Sequence, residues 1–227
     1  MVLSGRVFTP WGFSHAHDDT RRLIEDYWED EWPTVAQDFR EMKVLGANVV
    51  RVYLQFGRFM ASPDQPNTAA LRRLAMLLAL AEETGLYLDL TGLGGYHKAD
   101  VPAWYDALAG QERWQAQPRF WEAIARQAAA SRAIFGYDLM NEPVVAGAPR
   151  EPGDWLGPPF AGKHFVQSIT LDPAGRESHA VARISAVQDA VRSLARGRVS
   201  ASPGEAGRRG ASALSPTAPR LRGCLSG

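Results

Sequence analysis

The sequence has a single cysteine, Cys224, near its C-terminus. One thiol excludes an internal disulfide and a cysteine-based metal cluster. The chain also lacks any run of about 18 apolar residues, so no membrane-spanning helix and no membrane partner are expected. Residues 1–6 lack the apolar core of a secretory signal peptide. A cytoplasmic protein is therefore the default expectation, although a truncated start is compatible with export.

Aromatic residues are missing from the C-terminal part of the chain, because every Trp, Tyr and Phe lies at or before Phe165. The net charge of zero hides a second asymmetry: residues 196–227 hold six arginines and one acid, Glu205. Such a segment buries too little apolar surface to offset its chain entropy. We therefore predict an incomplete folded domain over residues 1–195 and a disordered tail over residues 196–227.

The arginines of this tail have no aromatic residues among them and no folded nucleic-acid module beside them, so a nucleic-acid partner is not expected. Arg, Gly, Ala, Ser and Pro are also what GC-rich coding sequence yields when it is read out of frame. Our hypothesis is that the reading frame is lost near residues 192–198, which would truncate the domain.

Apolar strands and amphipathic helices alternate through residues 7–195. The patterns predict strands over residues 7–14, 47–54, 86–90 and 133–140, and helices over 33–45, 68–84, 102–108, 118–130 and 177–195. Asn67 or Thr68 is suited to cap the second helix, and Gly46 and Gly85 to end the first two. Continuous apolar strands separated by helices indicate a parallel α/β sheet. Residues 144–172 are expected to form a long functional or disordered loop.

The motif Asn141-Glu142-Pro143 closes the fourth predicted strand. Proline blocks continuation of the strand, so the motif sets a carboxylate at the strand's C-terminal tip. In a barrel of alternating strands and helices, active sites are built at such tips. A Glu beside an Asn at that place suits general acid/base work on a glycosidic bond.

This motif and strand order resemble the family 5 glycoside hydrolases, which are cellulase-like (β/α)8 barrels. The segments 46–52, 85–90 and 134–143 look like the second, third and fourth strands of that family. The resemblance covers residues 7 to about 195, which correspond to the first half of such a barrel. It implies a partial TIM barrel of about four β-α units, an O-glycosidase activity in polysaccharide catabolism, a carbohydrate substrate and no cofactor.

Carried over to this sequence, the resemblance makes Glu142 the general acid/base of a retaining mechanism. Asn141 would bind the sugar 2-hydroxyl. Arg51 would hold the nucleophile ionised, or alternatively form a structural ion pair. The family's nucleophile comes from a seventh strand, which we expect to be absent from this sequence. We therefore name no nucleophile and expect little or no hydrolysis by this polypeptide.

Further sugar contacts are expected from loops at the same end of the sheet. The third strand ends in Thr91 where relatives often have a His, and His97 with Tyr96 follows it. Histidine and aromatic side chains suited to contact a sugar are His15, His97, Tyr96, Trp104 and Trp155.

Two alternative functions stay open. The first is a non-catalytic carbohydrate-binding remnant. The second is a metal-dependent hydrolase that uses His15 and His17, since two imidazoles on one side of a strand can share a metal. An open half-barrel would also expose strand edges, which predicts poor solubility or self-association through them.

Overall fold

The computed structural model describes residues 2–3, 6–145, 148–149, 151–170 and 189. Its strands are β1 Val2–Leu3, β2 Arg6–Val7, β3 Gly12–His15, β4 Val49–Gln55, β5 Met60–Ser62, β6 Gln65–Pro66, β7 Tyr87–Leu93, β8 Ile134–Asp138, β9 Pro143–Val145 and β10 Gln167–Thr170. Its α-helices are α1 Ile24–Tyr27, α2 Trp32–Val44, α3 Phe56–Phe59, α4 Thr68–Thr84, α5 Ala103–Asp106 and α6 Gly110–Ala128. Short 3-10 turns cover Lys98–Asp100 and Pro152–Trp155.

The central sheet has four parallel strands in the order β3-β4-β7-β8. Helical segments connect successive strands, so the sheet is built from consecutive β-α units. This confirms the predicted fold class, a partial (β/α)8 barrel. Within the described residues, β3 and β8 have no further strand on their outer edges. Self-association through these two edges stays a prediction.

One face of the sheet packs against the helices. The β4 and β7 side chains on that face are fully buried: Val50, Val52, Leu88 and Leu90. They meet the apolar faces of three helices, including Phe39 of α2, Leu74 of α4 and Trp121 of α6. Burial of apolar surface contributes about 25 cal/mol of transfer free energy per Å², so this layer is the main stabilising element of the domain. The opposite face carries the polar side chains described below.

Helix ends follow the predicted chemistry. The Asn67 side chain caps α4 by accepting hydrogen bonds from the backbone N–H groups of Ala69 and Ala70. Gly85 ends that helix at a φ of +66°, in the left-handed conformation that glycine adopts without a steric penalty. These two boundaries of the second predicted helix are confirmed.

The predicted start of the helix near residue 118 was wrong. Helix α6 begins at Gly110, and the Glu112 side chain accepts a hydrogen bond from the Ala109 N–H at its N-terminus. Pro118 therefore lies inside the helix. The helix continues through the proline because its buried face is uninterrupted from Ala116 to Phe120 and Ile124.

The predicted loop over residues 144–172 contains regular structure. Strand β10 pairs in parallel with β9, with Gln167 opposite Pro143 and Ser168 opposite Val144. The segment that ends in β10 thereby returns to the C-terminal end of the central sheet. The helix predicted over 177–195 and the predicted tail over 196–227 lie outside the described residues, apart from residue 189. No helix in the described part of the chain is long and apolar enough to cross a bilayer.

Candidate active site

The chain just after strand β8 is anchored to its neighbours where the Asn-Glu-Pro motif begins. The backbone N–H of Asn141 donates to the carbonyl of Gly92 in β7 at 2.8 Å. The indole N–H of Trp121, in α6, donates to the carbonyl of Leu139 at 3.1 Å. A Cβ on Gly92 would lie 2.7 Å from the Trp121 ring, so only glycine fits this crossing without displacement. The strand tip is therefore held from both β7 and the helix layer.

Arg51 organises the polar face of the sheet. Its Nε donates to the Thr91 hydroxyl at 2.9 Å, and one terminal nitrogen donates to the Tyr53 hydroxyl at 2.7 Å. The other terminal nitrogen donates to the Asp138 carboxylate at 2.5 Å and to the Asn141 amide oxygen at 3.0 Å. The guanidinium thus contacts side chains from β4, β7, β8 and the strand tip. Both members of the Arg51–Asp138 ion pair are about one third exposed.

Asn141 is buried and its amide is held in one orientation. Its side-chain oxygen accepts from Arg51, and its Nδ2 donates to the backbone carbonyl of Phe165 at 2.6 Å. Only 2% of its surface is exposed. The amide that the sequence assigns to a sugar hydroxyl is thus covered by the segment that carries Phe165.

Glu142, by contrast, is exposed and directly follows the buried Asn141. Its φ of +43° is in the left-handed region, which non-glycine residues rarely occupy. Such strained positions concentrate at functional sites, where the surrounding structure enforces them. Here the anchored Asn141 and the start of β9 at Pro143 fix the turn. The carboxylate makes no hydrogen bond or ion pair with the described part of the chain.

Tyr96 and His97 lie in the loop after β7. The Tyr96 ring is buried, and its centroid is 5.1 Å from that of Phe165 in an edge-to-face contact. His97 is partly exposed, and its ring nitrogens are 2.9 and 3.0 Å from the Lys163 ammonium. In this arrangement His97 is the accessible member of the pair, whereas the Tyr96 ring is covered.

Trp155 and Trp104 lie in aromatic clusters. Trp155 is 1% exposed, its indole N–H donates to Asp106 at 2.8 Å, and the Arg113 guanidinium lies 4.6 Å from its ring centroid. Trp104 is partly buried against Phe56, with 5.8 Å between ring centroids. Trp155 presents no free ring face to a sugar here and instead anchors the loop after β8 to α5 and α6.

His15 and His17 have different hydrogen-bond partners. The Nε2 of His15 is 2.8 Å from the Tyr27 hydroxyl and 3.8 Å from the Asp38 carboxylate, whereas the Nδ1 of His17 pairs with the Asp18 carbonyl. Burial lowers the pKa of His15, partly offset by Asp38. Among the described residues, no group of three or more His, Cys, Asp or Glu side chains is arranged to hold a metal ion.

Asp138 and Asp89 are members of this polar face that the sequence interpretation did not include. Asp89 lies opposite Arg51 in the sheet register, and Asp138 lies opposite Thr91. Burial, followed by the charge of Asp138, raises the pKa of Asp89. A signal for both was present, because an arginine inside a buried strand requires an acidic partner. Acids at strand positions of neighbouring predicted strands are the natural candidates.

Replacement of Arg51 by methionine is expected to lower the free energy of unfolding by about 2 kcal/mol. The change removes a donor from Asp138, Asn141, Thr91 and Tyr53 together, and partial exposure of the ion pair keeps the effect below that of a fully buried one. Denaturant titration measures it.

The matched control for this variant is Arg126→Met. Arg126 also pairs with an acid, Glu122, but on the exposed surface of α6. Its loss is expected to cost within about 0.5 kcal/mol. Asp138→Asn placed in the Arg51→Met background should recover part of the lost stability. Equal effects of the two arginine variants would contradict the organising role of Arg51.

Comparison with solved structures identifies the class of fold. GH5_18 from Streptomyces cattleya in complex with GlcNAc has a TM-score of 0.58 and 19% sequence identity, covering 83% of this chain and 43% of that protein. A variant of GH5_18 from the same organism, in complex with Manb1-4GlcNAc, has a TM-score of 0.56 and 19% identity, covering 84% and 43%. GH5_18 from Bifidobacterium longum subsp. infantis has a TM-score of 0.53 and 17% identity, covering 82% and 41%.

These likenesses show the fold, and this chain spans about two fifths of the length of the structures that it matches. No significant match was found among curated proteins. The cellulase model of glycosyl hydrolase family 5 matches residues 7–193. The chain therefore belongs to glycosyl hydrolase family 5, a family of glycosidases that act in carbohydrate catabolism.

Proposed function

We propose that this chain carries the acid/base side of a retaining O-glycoside hydrolase site, with Glu142 as the general acid/base. The observation that carries the proposal is the contrast at the tip of β8. Asn141 is buried and fixed, while the next residue, Glu142, is exposed at the C-terminal end of the parallel sheet, with no hydrogen-bond or ion-pair partner among the described residues. This is the end at which (β/α) barrels place their reacting groups.

In this proposal Glu142 protonates the oxygen of the leaving group and later deprotonates the attacking water. Arg51 acts on the site through Asn141, whose amide oxygen it binds. The Asn141 amide donates one N–H to the Phe165 carbonyl and has a second N–H. That second donor could bind a sugar 2-hydroxyl once the segment carrying Phe165 moves aside.

A retaining mechanism needs a second carboxylate roughly 5 Å from the first. Two acids lie on the polar face of the sheet among the described residues. Asp138, the last residue of β8, is paired with Arg51, and Asp89 lies within β7 next to Gly136. Neither lies with Glu142 in the turn after β8. The nucleophile therefore remains unassigned, and the activity of the isolated chain should be low.

Little or no turnover of an unactivated aryl glycoside is expected from the purified chain. The test compares release of the aryl group by this chain with the spontaneous rate, at enzyme concentrations that would detect a slow glycosidase. Sugar binding is measured in parallel by titration with GlcNAc and Manb1-4GlcNAc, the ligands of the Streptomyces cattleya structures. Normal turnover would contradict the assignment of an incomplete site, and metal-dependent turnover would favour His15 and His17 instead.

A further inference from the structure

A chain of hydrogen bonds links the segments that follow all four strands of the central sheet. It begins at Glu25, in helix α1 after β3, and reaches Gln55, the last residue of β4. From Gln55 it continues to Tyr96 in the loop after β7, and from Tyr96 to His164 in the segment after β8. None of these contacts is needed to hold the strands to one another, because the ladder hydrogen bonds already do so.

Gln55 connects the buried acid to the loop. Its backbone N–H donates to both carboxyl oxygens of Glu25, at 3.0 and 3.2 Å, and its side-chain Nε2 donates to the same carboxyl group at 3.2 Å. Its side-chain oxygen accepts the backbone N–H of Tyr96 at 3.0 Å. Gln55 is 1% exposed and Glu25 is 4% exposed, so solvent cannot replace these partners.

Tyr96 extends this chain of hydrogen bonds to the segment after β8. Its carbonyl accepts the backbone N–H of His164 at 2.8 Å, and its ring packs on Phe165. The Phe165 carbonyl in turn accepts from the Asn141 side chain. The same segment therefore bridges the loop held by Gln55 and the residue that precedes Glu142.

We propose that Glu25 and Gln55 are positioning residues, which hold the loop at Tyr96 and, through it, the segment of His164 and Phe165 over Asn141. Neither forms a hydrogen bond with Glu142 in the described part of the chain, and the hydrogen bond of Gln55 to Tyr96 is to the backbone N–H. Their effect is to set how much of Asn141 is covered and where His97, the next residue after Tyr96, is presented. The importance of that effect for catalysis rests on the proposed function, whereas the coupling itself does not.

Amide hydrogen exchange of the unliganded chain tests this coupling. Gln55→Asn withdraws the side-chain oxygen from Tyr96 while the backbone N–H of residue 55 keeps its bond to Glu25. Exchange at the Tyr96 amide should then become about five- to tenfold faster, with a smaller increase at His164. Amides in the middle of α4 should change only by the amount that any loss of global stability explains.

Gln117→Asn is the matched control, since Gln117 is also a buried glutamine and donates to the Tyr105 hydroxyl at 2.7 Å, outside the chain of bonds. It should leave exchange at Tyr96 and His164 as in the unmodified protein. The double variant Glu25→Gln with Gln55→Glu exchanges the two groups. The side chain of residue 55 still accepts from the Tyr96 N–H, and the amide at residue 25 accepts from the backbone N–H of residue 55 and donates to its side chain. This variant should restore protection at Tyr96 even if Gln55→Asn folds poorly.

Three results would overturn the proposal: unchanged Tyr96 exchange in Gln55→Asn, equal acceleration in Gln117→Asn, or failure of the exchanged pair to protect Tyr96. The exchange measurement involves neither sugar binding nor turnover. Its outcome therefore does not depend on whether Glu142 is the acid/base.

Discussion

Sodium azide is expected to give this chain measurable cleavage of a phenyl glycoside, and Glu142→Gln is expected to remove it. Azide can supply the nucleophile that the proposed site leaves unassigned. Its nitrogen bonds to the anomeric carbon as the bond from that carbon to the phenyl oxygen breaks, and Glu142 gives its proton to the departing oxygen. General acid catalysis of this kind contributes on the order of 10²- to 10⁴-fold, which is the expected loss. The product to be quantified is the glycosyl azide.

The leaving group distinguishes an acid catalyst from a structural residue. Phenol leaves poorly and needs the proton, whereas dinitrophenol leaves as a stable anion. Glu142→Gln should therefore slow release of dinitrophenol by less than about tenfold while it abolishes release of phenol. Glu151→Gln, a change to another exposed acid in the chain, should affect neither.

The outcomes of the azide experiment separate the remaining functions. Equal rates for Glu142→Gln and the unmodified chain on the phenyl glycoside would remove Glu142 from the chemistry. Sugar binding that survives Glu142→Gln, with no azide product from either protein, would favour a carbohydrate-binding remnant. Requirement for an added divalent metal would favour a hydrolase that uses His15 and His17.

Several regular elements could be predicted because they have a local signal. Helix α4 combines an Asn67 cap, an apolar face and a terminal Gly85, and all three act within a few residues. Strands β9 and β10 had no such signal. Their pairing joins residues more than twenty positions apart in a stretch rich in Gly and Pro, so only the assembled fold defines it.

The candidate site likewise contains features that could be predicted from the sequence and features that could not. The position of Glu142 after an apolar strand was predictable from its tripeptide. That Arg51 needs an acidic partner was predictable as well, but the identity of that partner was not, because Asp138 is distant in sequence and meets Arg51 only through the sheet register. The environment of the loop aromatic residues could not be predicted either, because nothing in the local sequence shows whether the Trp155 ring faces solvent or packs against the Arg113 guanidinium.

Glu25 is the residue that the sequence was least able to assign, because acids are rarely fully buried. It occurs in an acidic segment whose composition is typical of an exposed loop, yet its carboxyl group is buried inside the domain. Burial raises the pKa of Glu25 from 4.5 to about 8, despite the opposing effects of the Gln55 N–H groups and Arg58, while neighbouring Asp26 raises it further.

This pKa makes the stability of the protein pH-dependent in a defined direction. Below pH 4.5 the Glu25 carboxyl is protonated in both the folded and the unfolded chain, and its contribution is fully present. Between pH 4.5 and about 8 the unfolded chain has released the proton that the folded protein keeps. The free energy of unfolding should therefore fall as the pH rises through this range, by on the order of a few kcal/mol in total.

Glu25→Gln is expected to remove this loss, because an amide stays neutral at every pH. Chemical denaturation at several pH values from 5 to 9 should show the variant gaining stability relative to the unmodified protein as the pH rises. The comparison cancels the titration of His15, which both proteins share. Glu82→Gln is the matched control: hydrogen bonds from Ser131 and Arg132 lower the pKa of Glu82, so the stability difference between this variant and the unmodified protein should be constant from pH 5 to 9 and should shrink only below about pH 5. A constant difference between Glu25→Gln and the unmodified protein from pH 5 to 9 would show that Glu25 is already ionised in the folded state, held so by the donors of Gln55.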